Sequence, residues 1–512
     1  MSDTRTSSIH FGTDGWRAII GEDFTCENLV KAVDAAARVF KAAAVDAGAA
    51  PEDPGTLYVG HDCRQDAHAY AALAAQVAAE HGFNVILTKD YCPTPALCWS
   101  VAHDSAAVGG VMLTSSHNPA EYLGVKLRMA DGGASPADFT DIVEGVIAET
   151  EAGGFADPAV AHLADLQVPD IQNALAEGRS LASLTAEEPA ETKPVQVQDL
   201  MPSYLDALRQ LVDADAIRAA GLRVVLDPLF GAGRRYLADL LRSMDVTVEE
   251  LHNVEDPTFA GLHPEPIQPW VDEGIAREKE LGYDALFIND GDADRISAAD
   301  AQGRFVNPHR IITLVTENLA RRGLPERRVV STVTASQQLA NACEALGLEY
   351  VTTPVGFKWI YGEMEKGGVL VGGEESGGIG LPGHVKERDG LLMALLLTEM
   401  MAKEGKDLGQ LVDAANEKYG TFEFSRRGLR LSPDDEARAD AVLAGSKQPE
   451  KICGMTVAGK DARDGIKFMR EDGSWVMMRK SGTEPLVRIY AEASTKDTVE
   501  ELLDWAEAFL LS

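Results

Sequence analysis

Val108-Gly109-Gly110-Val111-Met112-Leu113-Thr114-Ser115-Ser116-His117-Asn118-Pro119 changes from apolar to polar in a single step. The apolar half reads as a buried strand, and the polar half as a turn at its carboxyl end. Hydroxyls, an imidazole and an amide in one turn can hold a nucleophile beside the groups that activate it. Ser, Asn and Pro are also ordinary turn formers, so the stretch taken alone favours a solvated turn. Its surroundings decide the fold. Upstream, Leu57-Tyr58-Val59 and Val85-Ile86-Leu87 read as strands, with a helical run through Ala71 to Glu80 between them, stopped by Gly82. Strands alternating with helices predict βαβ units and a parallel sheet, whose ligands bind at the carboxyl ends of strands.

The theme recurs downstream. Arg223 to Leu226 reads as a strand broken by Asp227-Pro228, and Ala285 to Ile288 as a strand running into Asn289-Asp290. Val329-Val330 and Val369 to Val371 form a third set. From Glu149 to Gln198 the pattern weakens, and Ala186 to Lys193 resembles an acidic linker. After Gly420 the character changes: strands at Ser474 to Met478 and Leu486 to Tyr490 flank a polar loop. A final amphipathic helix carries Val499, Leu502, Leu503, Ala506 and Phe509. A length of 512 residues predicts several domains. The expected division is α/β domains over 1–198, 199–306 and 307–419, then an α+β domain over 420–512.

Charge narrows the function classes. Lys and Arg number 47 against 81 Asp and Glu, a formal net charge of −34. A field of that sign repels nucleic acid and anionic membranes, so any phosphate site must be built locally against it. Leu391 to Met401 is too short and too polar to cross a bilayer and reads as a core helix. The first ten residues are polar, without the apolar core of a secretory signal. The 6 cysteines are scattered, which predicts reduced thiols in a cytoplasmic protein and neither a zinc site nor a disulfide framework.

Three further loops carry chemistry. Asp290-Gly291-Asp292-Ala293-Asp294-Arg295 sets carboxylates at alternate positions after a strand, a pattern suited to one hard divalent cation. An EF-hand is excluded, because Arg295 and Ala301 stand where that loop needs Gly and Glu. Gly372-Gly373-Glu374-Glu375-Ser376-Gly377-Gly378 offers carboxylates and a hydroxyl on a flexible loop, suited to sugar hydroxyls. Arg479-Lys480-Ser481-Gly482-Thr483-Glu484-Pro485, followed by Arg488, concentrates cations and hydroxyls as an anion nest would.

Taken in this order, together with Phe11-Gly12-Thr13-Asp14-Gly15-Trp16-Arg17, the loops resemble those of the α-D-phosphohexomutase family, over nearly the whole chain. That resemblance implies three similar α/β domains with mixed, largely parallel sheets, and a smaller C-terminal α+β domain, around a central cleft. It implies a phosphoserine at Ser116, with Mg²⁺ held by Asp290, Asp292, Asp294 and an oxygen of that phosphoserine. Catalytic roles then fall to Ser116, Lys126, His117, Arg17 and Arg64. Substrate binding falls to Arg295, Lys358, Glu374, Ser376, Arg388, Arg479, Ser481, Gly482, Thr483 and Arg488.

The activity so implied interconverts hexose 1-phosphate and hexose 6-phosphate, glucose first and mannose second, through a hexose 1,6-bisphosphate that also serves as activator. Lys126 is expected to take the substrate's hydroxyl proton, its pKa lowered by Arg17 or Arg64, with His117 as the second choice. The partner is a small sugar phosphate, with no nucleic acid and no membrane, and the chain is a monomer or homodimer. An amino-sugar mutase, a phosphopentomutase and a Ser- and Mg-dependent sugar phosphatase are the alternatives. Two positions depart from the family pattern. Leu123 stands where many members have Asn, and Gly378 where several carry a His, leaving His384, Lys386 or Arg388 to serve instead.

Overall fold

The computed structural model describes residues 9–12, 14–184, 193–480 and 486–511. They group into two units, one of residues up to Val306 together with Gly377–Gly409, the other of Asn307–Ser376 with the residues from Gln410 onward.

The first unit holds two sheets. In one, Thr56–His61 is flanked by Asn84–Thr88 and Ala107–Leu113, all parallel, and Tyr122–Met129 returns antiparallel on the outer side of Ala107–Leu113. Trp16–Ile19 closes that edge, Arg17 lying opposite Gly124. The helix Ala67–Glu80 lies against this sheet and is almost wholly buried. The Ala-rich run fits there because a chain of small side chains lets helix and sheet approach closely. In the second sheet, Arg223–Asp227 lies parallel between Thr247–Glu250 and Ala285–Asn289, and Ile296–Ala299 folds back antiparallel. The helix Gly390–Glu404 packs on this sheet, buried from Gly390 to Met401, as a core helix rather than a membrane span. Among the described residues no helix is long and apolar enough to cross a membrane.

The region from 149 to 184 is more ordered than its composition suggests. Pro158–Ala164 and Val168–Ala176 are helices that bury Val160, Leu163, Ile171 and Ala174 against the first sheet's helices. With so few apolar residues per helix, the periodicity is too short to stand out. Most of the expected acidic linker, residues 186–192, lies outside the described residues.

The second unit begins with the parallel strands Glu349–Thr353, Arg328–Thr332 and Val369–Gly373. Its other sheet is antiparallel throughout, in the order Glu423–Arg430, Leu486–Ala493, Trp475–Lys480, Ile466–Arg470, Met455–Asp461 and Lys451–Ile452. The closing helix Lys496–Leu511 buries Val499, Leu502, Leu503, Ala506 and Leu510 on it. Three α/β domains with mixed or parallel sheets and a C-terminal α+β domain are therefore present, as the loops imply.

Candidate active site

In the first unit the serine loop and the aspartate loop meet. Ser116 is 1% exposed, and its Oγ donates to Asp290 Oδ2 at 2.8 Å. Contact this close depends on Gly291, where an added Cβ would lie 2.4 Å from the Ser116 carbonyl oxygen. Both loops are strained, with positive φ at Ser116 (52°) and Ala293 (59°), a conformation non-glycine residues adopt at a cost. The loop behind Ser116 is held by a relay: Thr114 Oγ1 accepts from the Ser116 amide at 2.8 Å and donates to Asp62 Oδ2 at 2.6 Å.

Arg64 completes the clamp, with a role different from the one expected. All five guanidinium N–H donors are spent on the scaffold. Nε donates to Asp62 Oδ2, Nη1 to the carbonyls of Pro119 and Tyr122, and Nη2 to those of Ser116 and Asn118. It shapes the serine loop from behind and has no donor left for a reacting phosphoryl group.

Asp290, Asp292 and Asp294 bring ligand oxygens within 4.8 Å of one another, all buried. Burial, then the Asp294 and Asp292 carboxylates, push the Asp290 carboxyl well above the usual range. Asp292 Oδ1 and Asp294 Oδ1 are buried without a hydrogen-bond partner among the described residues. Orphaned anionic oxygens gathered at one point fit a hard divalent cation, whose charge would offset their repulsion and desolvation.

Lys126 and Arg128 alternate along Tyr122–Met129, so both side chains leave the same face and meet Asp14. Lys126 Nζ lies 2.9 Å from Asp14 Oδ2, 2.8 Å from Asp292 Oδ2 and 2.9 Å from Asp294 Oδ2. Burial alone would lower its pKa, but these three carboxylates outweigh burial and hold it above the ordinary value. That direction is opposite to what a general base needs, and it corrects the expectation that Arg17 and Arg64 depress it. His117 Nδ1 is 3.4 Å from Ser116 Oγ.

Arg388 is also corrected. Its Nη2 pairs with Asp14 and, at 2.8 Å, with Asp294 Oδ2, while Nε pairs with Glu387 at 3.0 Å. It is an internal counter-ion, only 4% exposed. Of the other two groups near the absent family histidine, Lys386 pairs with Asp131 at 2.8 Å, and His384 Nε2 lies 3.3 Å from Asp389 without a hydrogen bond among the described residues. Leu123, in place of a polar residue, is fully buried in the apolar core. Two guanidiniums keep unspent donors near the aspartates. Arg17 donates through Nη1 to Asn118 Oδ1 at 2.6 Å. Among the described residues the Arg295 side chain makes only long pairs, its Nε 3.8 Å from Asp290 and 3.9 Å from Asp294.

Sequence reasoning passed over Asp14. It sits inside the quoted Phe11–Arg17 stretch, next to Gly15 (φ 104°), whose added Cβ would meet the Val125 carbonyl at 2.4 Å. That approach seats Asp14 among Arg388, Lys126, Arg128 and Arg17. Burial opposes its charge, but these cations hold its carboxyl well below the usual range. Thr94 was missed too: its hydroxyl donates to Asp292 Oδ2 at 2.6 Å from a helix start far away in sequence.

In the second unit, Glu374 is buried at the end of Val369–Gly373, and Ser376 is half-buried. Lys358 Nζ stands 5.5 Å over the half-exposed Trp359 ring. Arg479 and Arg488 are direct cross-strand partners on Trp475–Lys480 and Leu486–Ala493, and Arg479 Nε lies 3.1 Å from Asp464. Ser481, Gly482 and Thr483 lie outside the described residues. Glu375, Arg488, Arg479 and Arg426 all act on the buried Tyr490 hydroxyl, so the acidic loop and the arginines are neighbours within this unit.

Four family models match the chain. Phosphoglucomutase/phosphomannomutase alpha/beta/alpha domains I, II and III match residues 8–153, 202–303 and 307–419, and the C-terminal domain matches 434–507. A phosphoglucomutase/phosphomannomutase of Thermococcus kodakarensis is 29% identical, with 96% of each chain covered. A phosphoglucosamine mutase of Frankia alni is 30% identical, again over 96% of each. Among solved structures, one from Thermus thermophilus named for phosphomannomutase is 31% identical with a TM-score of 0.79, covering 99% of this chain and 100% of its own. The chain belongs to the α-D-phosphohexomutase family. It is thus an isomerase of the phospho-sugar mutase class.

Proposed function

We propose that the protein interconverts the 1-phosphate and 6-phosphate of a neutral hexose, glucose in the first place and mannose in the second, using Ser116 as phosphoryl carrier. The observation that carries this reading is the Ser116 hydroxyl set on Asp290 within the buried aspartate triad. Moving a phosphoryl group between the ends of one sugar also requires a hold on the phosphate that stays. Arg479 directly opposite Arg488 supports such a hold, since two guanidiniums on neighbouring strands can grip one phosphate.

Asp290, Asp292 and Asp294 would hold Mg²⁺, which supplies charge neutralisation for the phosphoryl oxygens when bound. The chain's own groups do the rest. As the free hydroxyl of the sugar attacks phospho-Ser116, a new O–P bond forms and the Oγ–P bond breaks. Arg17 and Arg295, with donors unspent, stabilise the transferring group. His117, within reach of the Ser116 oxygen, takes the hydroxyl proton in place of Lys126. Lys126 stays an ammonium and balances the aspartates. The resulting hexose 1,6-bisphosphate turns over and returns its other phosphoryl group to Ser116. Glu374 and Ser376 contact sugar hydroxyls, with Lys358 and the 481–483 loop completing the substrate contacts.

An amino-sugar substrate is the second reading, favoured by the phosphoglucosamine mutases among the relatives. Glu375 weighs against it, because the family resemblance implies Gln at that loop position in amino-sugar members. The test is a ³¹P NMR time course with Mg²⁺ and a trace of hexose 1,6-bisphosphate, run on glucose, mannose, glucosamine and ribose 1-phosphates. Fastest conversion of glucose 1-phosphate supports the proposal. Fastest conversion of glucosamine 1-phosphate moves the substrate to the amino sugar, and release of inorganic phosphate alone overturns the mutase reading.

A further inference from the structure

Behind the serine loop, wholly within the first unit, lies a cavity of about 600 Å³, lined by His68, Lys89, Tyr91, Arg234 and Glu255 among others. Arg234 is its unusual member. The side chain is only 3% exposed, and its guanidinium lies 4.7 Å over the Tyr91 ring. Its one hydrogen bond among the described residues runs from Nη2 to Cys63 Sγ at 3.5 Å, a weak acceptor, and Nε has no partner. Glu255 acts on it through charge but forms no ion pair with it. A buried guanidinium without an oxygen acceptor is costly, and buried cations are normally paired. Arg64, Arg128 and Arg388 in the same unit all meet carboxylates. Lys89 adds an exposed ammonium beside the same opening.

The wall also carries carboxylate acceptors. The carboxylates of Asp90 and Glu255 are exposed, whereas Asp62 is committed to Arg64 and Thr114, and Asp66 to Gln65 and Gln172. Cations and carboxylate acceptors in one cavity suit a ligand that carries both a phosphate and hydroxyls. We infer that this cavity is an accessory binding site for a small hydroxyl-rich phosphate monoester, its phosphate on Arg234 and Lys89 and its hydroxyls toward Asp90 and Glu255. The site is separate from the Ser116 centre but touches both of its loops. Asp62 and Arg64 line the cavity and clamp the serine loop. The loop bearing Arg234 binds the aspartate loop, the Ala232 amide donating to the Gly291 carbonyl at 2.9 Å. Occupancy therefore bears on the geometry of the catalytic loops.

Isothermal titration with glucose 6-phosphate, and separately with inorganic phosphate, tests this on the full chain. Two molecules of glucose 6-phosphate per wild-type chain are expected. In Arg234→Met one of the two binds at least about tenfold more weakly, as loss of a charge-assisted contact requires. Lys89→Ala, a surface change that keeps the fold intact, weakens the same event severalfold and covers the case in which Arg234→Met does not fold. Inorganic phosphate competes for this event but binds more weakly than the ester. A single site in the wild type that both variants leave unchanged, or two sites unchanged in both variants, overturns the accessory site. Equal affinity for inorganic phosphate and the ester overturns the assignment of a hydroxyl-rich ligand. Neither result depends on turnover, so the outcome is read independently of the mutase assay.

Discussion

At the residue scale, two side chains show how different the work of neighbouring groups can be. Ser116 presents a hydroxyl held by Asp290, and Ser116→Ala is expected to lower kcat by about 10³-fold or more with stability nearly unchanged, measured by coupled assay and thermal melt. Arg64 presents nothing outward, since its donors all point back into the loop that carries Ser116. Arg64→Lys cannot reproduce a planar fork of five donors and leaves buried carbonyls unpaired. We expect it to cost about 3 kcal/mol of stability as well as activity. A chemical denaturation midpoint equal to the wild type would show that Arg64 is not the clamp described. The difference between the two roles was not legible in the sequence. Arg64 and Arg17 are both basic residues beside a strand end, and only the directions of their donors separate a scaffold group from one free to meet a ligand.

At the element scale, the strand-and-loop pattern was readable because each buried strand is a short apolar run stopped by a turn residue. Ala107–Leu113, Arg223–Asp227 and Ala285–Asn289 lie within a residue or so of their expected bounds. What could not be read was contact between elements distant in sequence, such as Thr94 on Asp292 or Gly291 against the Ser116 carbonyl. The latter gives a sharp test. Gly291→Ala puts a methyl carbon 2.4 Å from that oxygen, so the loops must separate, and activity is expected to fall at least about tenfold through misplacement alone. Wild-type kcat in this variant would contradict the packing. The helix Asp272–Leu281 offers a pH test. Its Glu278 is fully buried with neither carboxyl oxygen hydrogen-bonded, and burial, then Asp284 and Asp300, push its pKa to about 7. The folded state therefore holds a proton that the unfolded chain has released. Glu278 favours folding below the ordinary carboxylate pKa, and that advantage is lost as pH rises through about 7, by ~3 kcal/mol. Melting curves from pH 5 to 8 should fall for the wild type and flatten for Glu278→Gln; parallel profiles would contradict the assignment.

At the scale of the whole molecule, the chain carries a net charge of −34, and most of the buried cations in its first unit are matched to carboxylates. Lys126, Arg128 and Arg388 are gathered on Asp14 inside the first unit, while Arg479 and Arg488 face each other across one strand pair in the second. The four loops and their order were legible because each is a short run of unusual composition. The roles of Lys126 and Arg388 were not, because they depend on Asp14, whose importance rests on what the fold brings to it. The central claim is that Ser116 carries the phosphoryl group. Its most direct test is to incubate the protein with hexose 1,6-bisphosphate and Mg²⁺, remove the sugar, and locate phosphate by peptide mass spectrometry before and after adding glucose 6-phosphate. The account predicts one phosphoryl group, on Ser116, that leaves when the hexose monophosphate is added and reappears as bisphosphate. Phosphate on another residue, or a phosphoserine that glucose 6-phosphate does not discharge, would contradict it.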